Sequence, residues 1–311
     1  MKIEDYHFEI PEEPVDEKNF DIEKWRLENP VDYLKAVRLI DMFPDKNIAF
    51  DAIYKVMRHY LPDTLYKYYS LTDNISLNEQ KFETLQQKKI FTCEAKFLND
   101  PFDNKAYYYD NHKLKKFDVL KEHEGFIIDD FSSFSKVTAL TSNKTNSMPM
   151  WAHYSNNHQG FCVSYDMNDE RNIQLKSCTF PVQYSEERID VTSLMIKQIE
   201  TIIREGSIQG AQGKKEIVLN DLSLVYMISL FTNIKHASWS YENEFRCTIG
   251  ISEEISPYIN ASPKEIYIGM KCNTTYKDKL ISIGNELNIP VYQMTYDESS
   301  SDFNLTPKIL H

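Results

Sequence analysis

The chain has 311 residues, with 47 acidic against 35 basic side chains and a formal net charge of −12. That excess opposes broad, non-specific docking on nucleic acid or an anionic membrane, while the length suffices for one large domain or two smaller ones. No apolar run reaches the about 18 residues of a membrane span and the first residues lack a signal-peptide core, so the expectation is a cytoplasmic protein with no membrane contact.

In chain order, residues 1 to about 22 are acidic and broken by prolines at 11 and 14, reading as an arm. Apolar residues at helical spacing from about 30 to 61 predict two helices joined around Pro44, and residues 1–62 together read as a helical extension packed on the core. The remaining 63–311 reads as a single α+β domain. It opens with a short aromatic strand at Leu65-Tyr-Lys-Tyr-Tyr-Ser, followed by a helix over about 77–87, a strand at Lys89-Ile-Phe-Thr-Cys and a turn at Asn99-Asp-Pro-Phe-Asp. Residues 104–134 show no clear period. Val137-Thr-Ala-Leu-Thr-Ser reads as a strand, Met150-Trp-Ala-His-Tyr-Ser as a short helix or turn, Gly160-Phe-Cys-Val-Ser-Tyr as a firm strand and Phe180-Pro-Val-Gln-Tyr as extended.

A helical insertion is expected at about 190–235, as helices near 191–206 and 218–234 with a glycine-containing linker around 206–213 between them. Strands return at 244–250, 265–269 and 290–295, with a helix over about 278–288. The sum is an α+β fold with a mixed, mainly antiparallel sheet and flanking helices, not a regular βαβ series.

The five cysteines, at 93, 162, 178, 247 and 272, are odd in number and far apart, which predicts buried thiols in place of a zinc or redox motif. Only 8 glycines occur, none in a GxGxxG or GxxxxGK[ST] loop, so a Rossmann dinucleotide fold and a P-loop enzyme are both disfavoured. The chemistry must be framed by other residue types, and four places supply them: Lys67 with Tyr68 and Tyr69; Asn99, Asp100 and Asp103; Trp151, His153, Tyr154 and His158; and the stretch from His236 to Arg246.

The last of these carries the strongest pattern. On what reads as a strand, Glu242, Glu244 and Arg246 share one face by the two-residue alternation, while Asn243 and Phe245 point the other way and Phe245, Cys247 and Ile249 are available to the core. Two carboxylates on one face repel and raise one another's pKa unless a cation such as Arg246 intervenes. A row of this kind is either a salt-bridge ladder or an active-site wall, in which an ionised glutamate binds a ribose hydroxyl or stabilises an oxocarbenium ion. Each other candidate also has a plain structural use: Tyr68 as a core aromatic, Asn99 and Asp100 as turn caps, His153 as a satisfied structural histidine, Trp239 and Tyr241 as packing anchors. Asp100, Glu242, Glu244 and His153 would alternatively supply oxygen and nitrogen ligands to Mg²⁺ or Mn²⁺, as a nuclease or phosphoesterase requires, although no HExxH motif is present.

The segments Leu65-Tyr-Lys-Tyr-Tyr-Ser, Phe97-Leu-Asn-Asp-Pro-Phe-Asp, Met150-Trp-Ala-His-Tyr-Ser through Gly160-Phe-Cys-Val-Ser-Tyr, and Ser238-Trp-Ser-Tyr-Glu-Asn-Glu-Phe-Arg together resemble the bacterial and phage-associated family DUF2971, over roughly 65–250. The order of an aromatic and basic strand, a helix, a short strand and a late Glu-x-Glu strand also resembles the ADP-ribosyltransferase fold. That second resemblance implies NAD as cofactor and ADP-ribosyl transfer to a protein or nucleic-acid acceptor, in a toxin or phage-defence setting. On it Glu244 grips the nicotinamide ribose and stabilises the oxocarbenium ion and Glu242 engages the acceptor; His153, a candidate from the residues themselves, is the third expected catalytic residue. Lys67, Tyr68, Thr92, Asn99, Asp100, Trp151, Tyr154 and Arg246 would hold the cofactor, with Lys67 where the fold carries arginine or histidine and Thr92-Cys93-Glu94 where it carries Ser-Thr-Ser. The alternatives are a non-enzymatic protein that binds a nucleotide or a partner, and the metal-dependent nuclease.

Overall fold

A computed structural model describes residues 22–42, 45–94, 97–103, 105–125, 135–213, 227, 230–250 and 256–311. The expected N-terminal arm, Pro44 and most of the helix expected over 218–234 lie outside them. The chain forms two compact units: residues 1–60, 94–135 and 182–239 make one, and residues 61–93, 136–181 and 240–311 the other.

The second unit is built on a sheet whose strands run, edge to edge, Leu305–Ile309, Val291–Tyr296, Glu265–Ile268, Phe161–Asp166, Thr64–Tyr69, Ser135–Thr141, Glu244–Gly250 and Thr179–Pro181. From Leu305–Ile309 to Ser135–Thr141, and between Glu244–Gly250 and Thr179–Pro181, the pairings are antiparallel except that Glu265–Ile268 runs parallel to Val291–Tyr296, so the sheet is mixed and mostly antiparallel, with helices flanking it. The parallel pair needs a crossover, and the helix Thr274–Leu287 supplies it. Asn273 caps its first turn by accepting from the Tyr276 amide at 2.9 Å, worth about 1 kcal/mol. Asn288 ends it in the left-handed region at φ 54°, a conformation asparagine tolerates. Gly284 faces the sheet so closely that an added Cβ would stand 2.1 Å from Val291 Cγ2.

A second helix, Ile75–Gln86, buries Asn78, Phe82 and Leu85 at helical spacing. Buried Asn78 is satisfied on all sides: its amide nitrogen donates to Thr72 O at 2.7 Å and to the Tyr276 hydroxyl at 2.9 Å, and its oxygen accepts from the Thr72 amide. This pins the two helices together through polar groups inside an apolar layer.

Strand alternation divides the side chains of this sheet between two cores. Leu65, Val163, Tyr165, Phe161, Leu140, Phe245, Cys247 and Ile249 belong to one, with Tyr69 packed against it. Tyr68, Cys162, Trp151, Tyr267, Met294 and Leu305 belong to the other, with Tyr66 and Tyr154 packed against it. The register of Lys67 with Val163 and of Tyr68 with Cys162 agrees with that division. The Leu305–Ile309 strand is a sheet edge, where Pro307 is tolerated.

In the other unit, helices Tyr33–Met42 and Lys46–Arg58 follow a short helix Ile22–Glu28 that lies at the end of the expected arm. Asp32 caps the first turn of the Tyr33 helix through the amides of Leu34 and Lys35. Trp25 packs its ring on His59 and Tyr60 at 5.5 and 5.1 Å. The helix Thr192–Ala211 runs through Gly206 and Gly210, where a linker was expected. The cost of about 1 kcal/mol per helical glycine is evidently outweighed by burial of Leu194, Met195 and Ile199 on one face. The expected strand at Phe180 divides into Thr179–Pro181 and Gln183–Ser185, the latter pairing in parallel with Ile234–His236.

Candidate functional site

The expected Glu-x-Glu alternation is broken at its first member. Ala237–Glu242 is a 3-10 helix, Asn243 turns the chain at φ 44°, and the strand begins only at Glu244. A left-handed residue between the two glutamates removes the simple two-residue geometry, because alternation holds only within continuous extended backbone. Glu242 and Glu244 are nevertheless both buried, at 3% and 5% exposure.

Local hydrogen bonds hold the junction in place. The Thr141 hydroxyl donates to the Glu242 carbonyl, as does the Asn143 amide at 3.0 Å, which also reaches the Tyr241 carbonyl at 2.7 Å. The Asn243 amide donates to the Asn143 side-chain oxygen at 2.8 Å, and the Ser142 amide to the Asn243 carbonyl at 3.1 Å. Asn143 and Asn243 thus together clamp the junction and fix where the Glu242 side chain starts. Neither they nor Thr141 stood out in the sequence; their signal was a polar loop directly after a strand and an asparagine, a residue that tolerates positive φ, between two glutamates.

Each carboxylate has its own donor. The Tyr154 hydroxyl donates to Glu242 Oε1 in a short contact. Arg246 Nε and Nη2 donate to Glu244 Oε1 and Oε2 at 2.8 and 3.3 Å, a two-pronged pair with side chains only 1% and 4% exposed. Of the row expected from the sequence, Glu244 and Arg246 form a buried ion pair, while Glu242 is held separately by Tyr154.

Aromatic side chains furnish this face of the sheet. Tyr68 meets Trp151 edge-on at 5.1 Å, donates to the Lys144 carbonyl at 3.3 Å, and has its hydroxyl pKa pushed up by burial. Trp151 is fully buried and its Nε1 donates to the Thr145 carbonyl at 2.7 Å. His153 is exposed, with its ring 6.2 Å from Tyr241 and 6.4 Å from Tyr154. The turn after the helix Met148–Tyr154, which carries Trp151, holds Asn156, Asn157 and His158 at φ 49, 54 and 69°, and an added Cβ at Gly160 would lie 1.9 Å from the Tyr69 carbonyl.

The structure gathers only some of the residues singled out from the sequence. Tyr68, Trp151, Tyr154, Glu244 and Arg246 lie on one side of the sheet, and Glu242 joins them through its Tyr154 contact. Lys67 does not. It sits on the opposite side with Leu65 and Cys247, so a strand position alone did not reveal its direction. There its Nζ donates to the Thr138 hydroxyl at 2.7 Å and the Ala139 carbonyl at 3.3 Å, and burial lowers its pKa to about 8 against the opposing pull of Cys93, Cys247 and Glu244. Thr92 is buried, with both its amide and its hydroxyl donating to the Pro257 carbonyl at 2.8 Å. Asn99 and Asp100 belong to the other unit, where the Phe102 amide donates to Asp100 Oδ1 at 2.9 Å.

Among the described residues no group of three or more His, Cys, Asp and Glu side chains is arranged to hold a metal ion, and no helix is long and apolar enough to cross a membrane. The family model described as "Protein of unknown function (DUF2971)" matches residues 150–247. That span runs from the Trp151 helix to the Glu244 strand and so contains Tyr154, both glutamates and Arg246. No curated protein and no solved structure matches the chain.

Proposed function

We propose that this chain carries out NAD-dependent ADP-ribosyl transfer to a protein or nucleic-acid acceptor, at the sheet face bearing Glu242 and Glu244. The observation that carries the reading is the pair of buried carboxylates, each fixed by its own donor, beside Tyr68, Trp151 and Tyr154. Fixed negative charge in a water-poor site is what stabilises a developing oxocarbenium ion, and removing one such electrostatic contact typically costs 10²–10³ in rate.

In the reaction the bond between ribose C1′ and the nicotinamide nitrogen breaks, and its electron pair neutralises the pyridinium. The acceptor's lone pair forms the new bond to C1′ and its proton passes to Glu242. Glu244, held ionised by Arg246, accepts from a ribose hydroxyl. Because Lys67 faces away, the cation of this site is Arg246, a departure from the pattern the sequence suggested.

A second reading is favoured by one observation: both Glu244 oxygens are already engaged by Arg246. This suits a protein that binds a nucleotide or a partner without a chemical step. Nicotinamide release from NAD, with cell extract as acceptor source, separates the two. Release by the wild-type chain that is abolished in Glu244→Gln supports transfer; NAD binding without release supports the second reading.

A further inference from the structure

Two of the thiols, far apart in sequence, lie on neighbouring elements of the fold. Cys247 stands directly opposite Thr179 in the antiparallel register, so Cys178 is one residue from the position facing it. Opposed Cα atoms in such a pair are about 4.5–5.5 Å apart, and a residue one step along the strand lies about 6 Å away, within the range a disulfide spans. Cys178 ends the helix Ile173–Cys178 and packs against the core cluster that contains Cys247. Cys247 is fully buried, Cys178 is half-buried, and none of the five cysteines is in a disulfide. The neighbouring Cys178 thiol and burial push the Cys247 thiol pKa well above its ordinary value, and the Lys67 ammonium on the same side of the sheet opposes them only in part.

From this arrangement we infer that Cys178 and Cys247 form a reversible dithiol–disulfide couple, oxidised by a hydroperoxide and lying on the face of the sheet opposite Glu244. The half-buried Cys178 thiolate attacks the peroxide, its sulfur gaining oxygen as the O–O bond breaks and water leaves. The Cys247 sulfur then attacks that sulfenic sulfur, giving up its proton to the departing oxygen, so that the S–S bond forms and a second water leaves. Two thiols lose two electrons and two hydrogens; one hydrogen peroxide is reduced to two waters. The bond would tie the end of the Ile173 helix to the strand that carries Glu244 and Arg246.

The test treats the full chain with hydrogen peroxide, blocks remaining thiols under denaturing conditions, and maps peptides without reduction. The expected result is the loss of two of the five thiols, one peptide pair joining Cys178 to Cys247, and full reversal by dithiothreitol. In Cys247→Ala, which removes the resolving sulfur, dimedone should instead trap a sulfenic acid on Cys178. Linkage of other cysteines, or a Cys178 sulfinic acid formed while Cys247 stays alkylatable in the wild-type chain, would overturn the inference. Cys178→Ser, at a half-buried position, should fold and lose no pair of thiols; loss of two thiols in this variant would also overturn it.

Discussion

Arg246 offers the sharpest test of the carboxylate face. Its guanidinium and the Glu244 carboxylate are 1% and 4% exposed and meet at 2.8 and 3.3 Å, so Arg246→Met leaves a carboxylate in the interior without its guanidinium. Removing one partner of a buried ion pair costs about 3–5 kcal/mol, whereas replacing both by apolar residues of similar size is often near neutral. At about 2–4 °C per kcal/mol for a domain of roughly 150–250 residues, Arg246→Met should lower Tm by about 6–20 °C. The double variant Glu244→Leu with Arg246→Met should recover most of that loss. Urea and thermal unfolding of the wild type, the two single variants and the double variant give the coupling directly. An Arg246→Met cost below about 1 kcal/mol, the range of an exposed pair, would refute the argument that the two charges are desolvated together.

Lys67 makes a prediction about pH. Its folded pKa lies near 8 against an ordinary value of 10.5, so the unfolded chain binds the proton more tightly between those limits and stability must rise with pH across that window. The difference corresponds to about 3 kcal/mol. Wild type should therefore gain on Lys67→Met from pH 8 to 10.5, a comparison that cancels the tyrosines; parallel stability curves for the two proteins would contradict the assigned burial. Gly160→Ala places a Cβ 1.9 Å from the Tyr69 carbonyl and should cost about 3 kcal/mol or more, read by chemical denaturation, with an unchanged midpoint counting against the close approach. Asn288→Gly, at φ 54°, should stabilise by a few tenths to about 1 kcal/mol, and Asn288→Ala should destabilise; the reverse order in Tm would show the helix end to be otherwise built.

The elements themselves were legible where a period was strong. Phe161–Asp166 and Glu244–Gly250 were readable as strands, and Ile75–Gln86 as a helix, because alternation and helical spacing register burial directly. The strand Leu305–Ile309 was not, since it buries only Leu305 at a sheet edge and carries a proline. The continuation of the Thr192 helix through two glycines was hidden for a related reason: local propensity argued for a break and packing overrode it. At the candidate site, the residue types were visible but their directions were not. Asn243 at positive φ separates Glu242 from the strand, while the pleat turns Lys67 away from Glu244. A single residue of register decides the face on which a side chain lies, and the sequence around Lys67 is aromatic on both sides, leaving no apolar–polar contrast to set it.

The most direct test of the central claim is a structure of the chain with NAD bound. The account predicts the nicotinamide ribose hydroxyls within hydrogen-bond distance of Glu242 or Glu244, with the bases against the aromatic residues of that face. NAD seated on the Lys67 side of the sheet, or no binding at millimolar NAD, would contradict it.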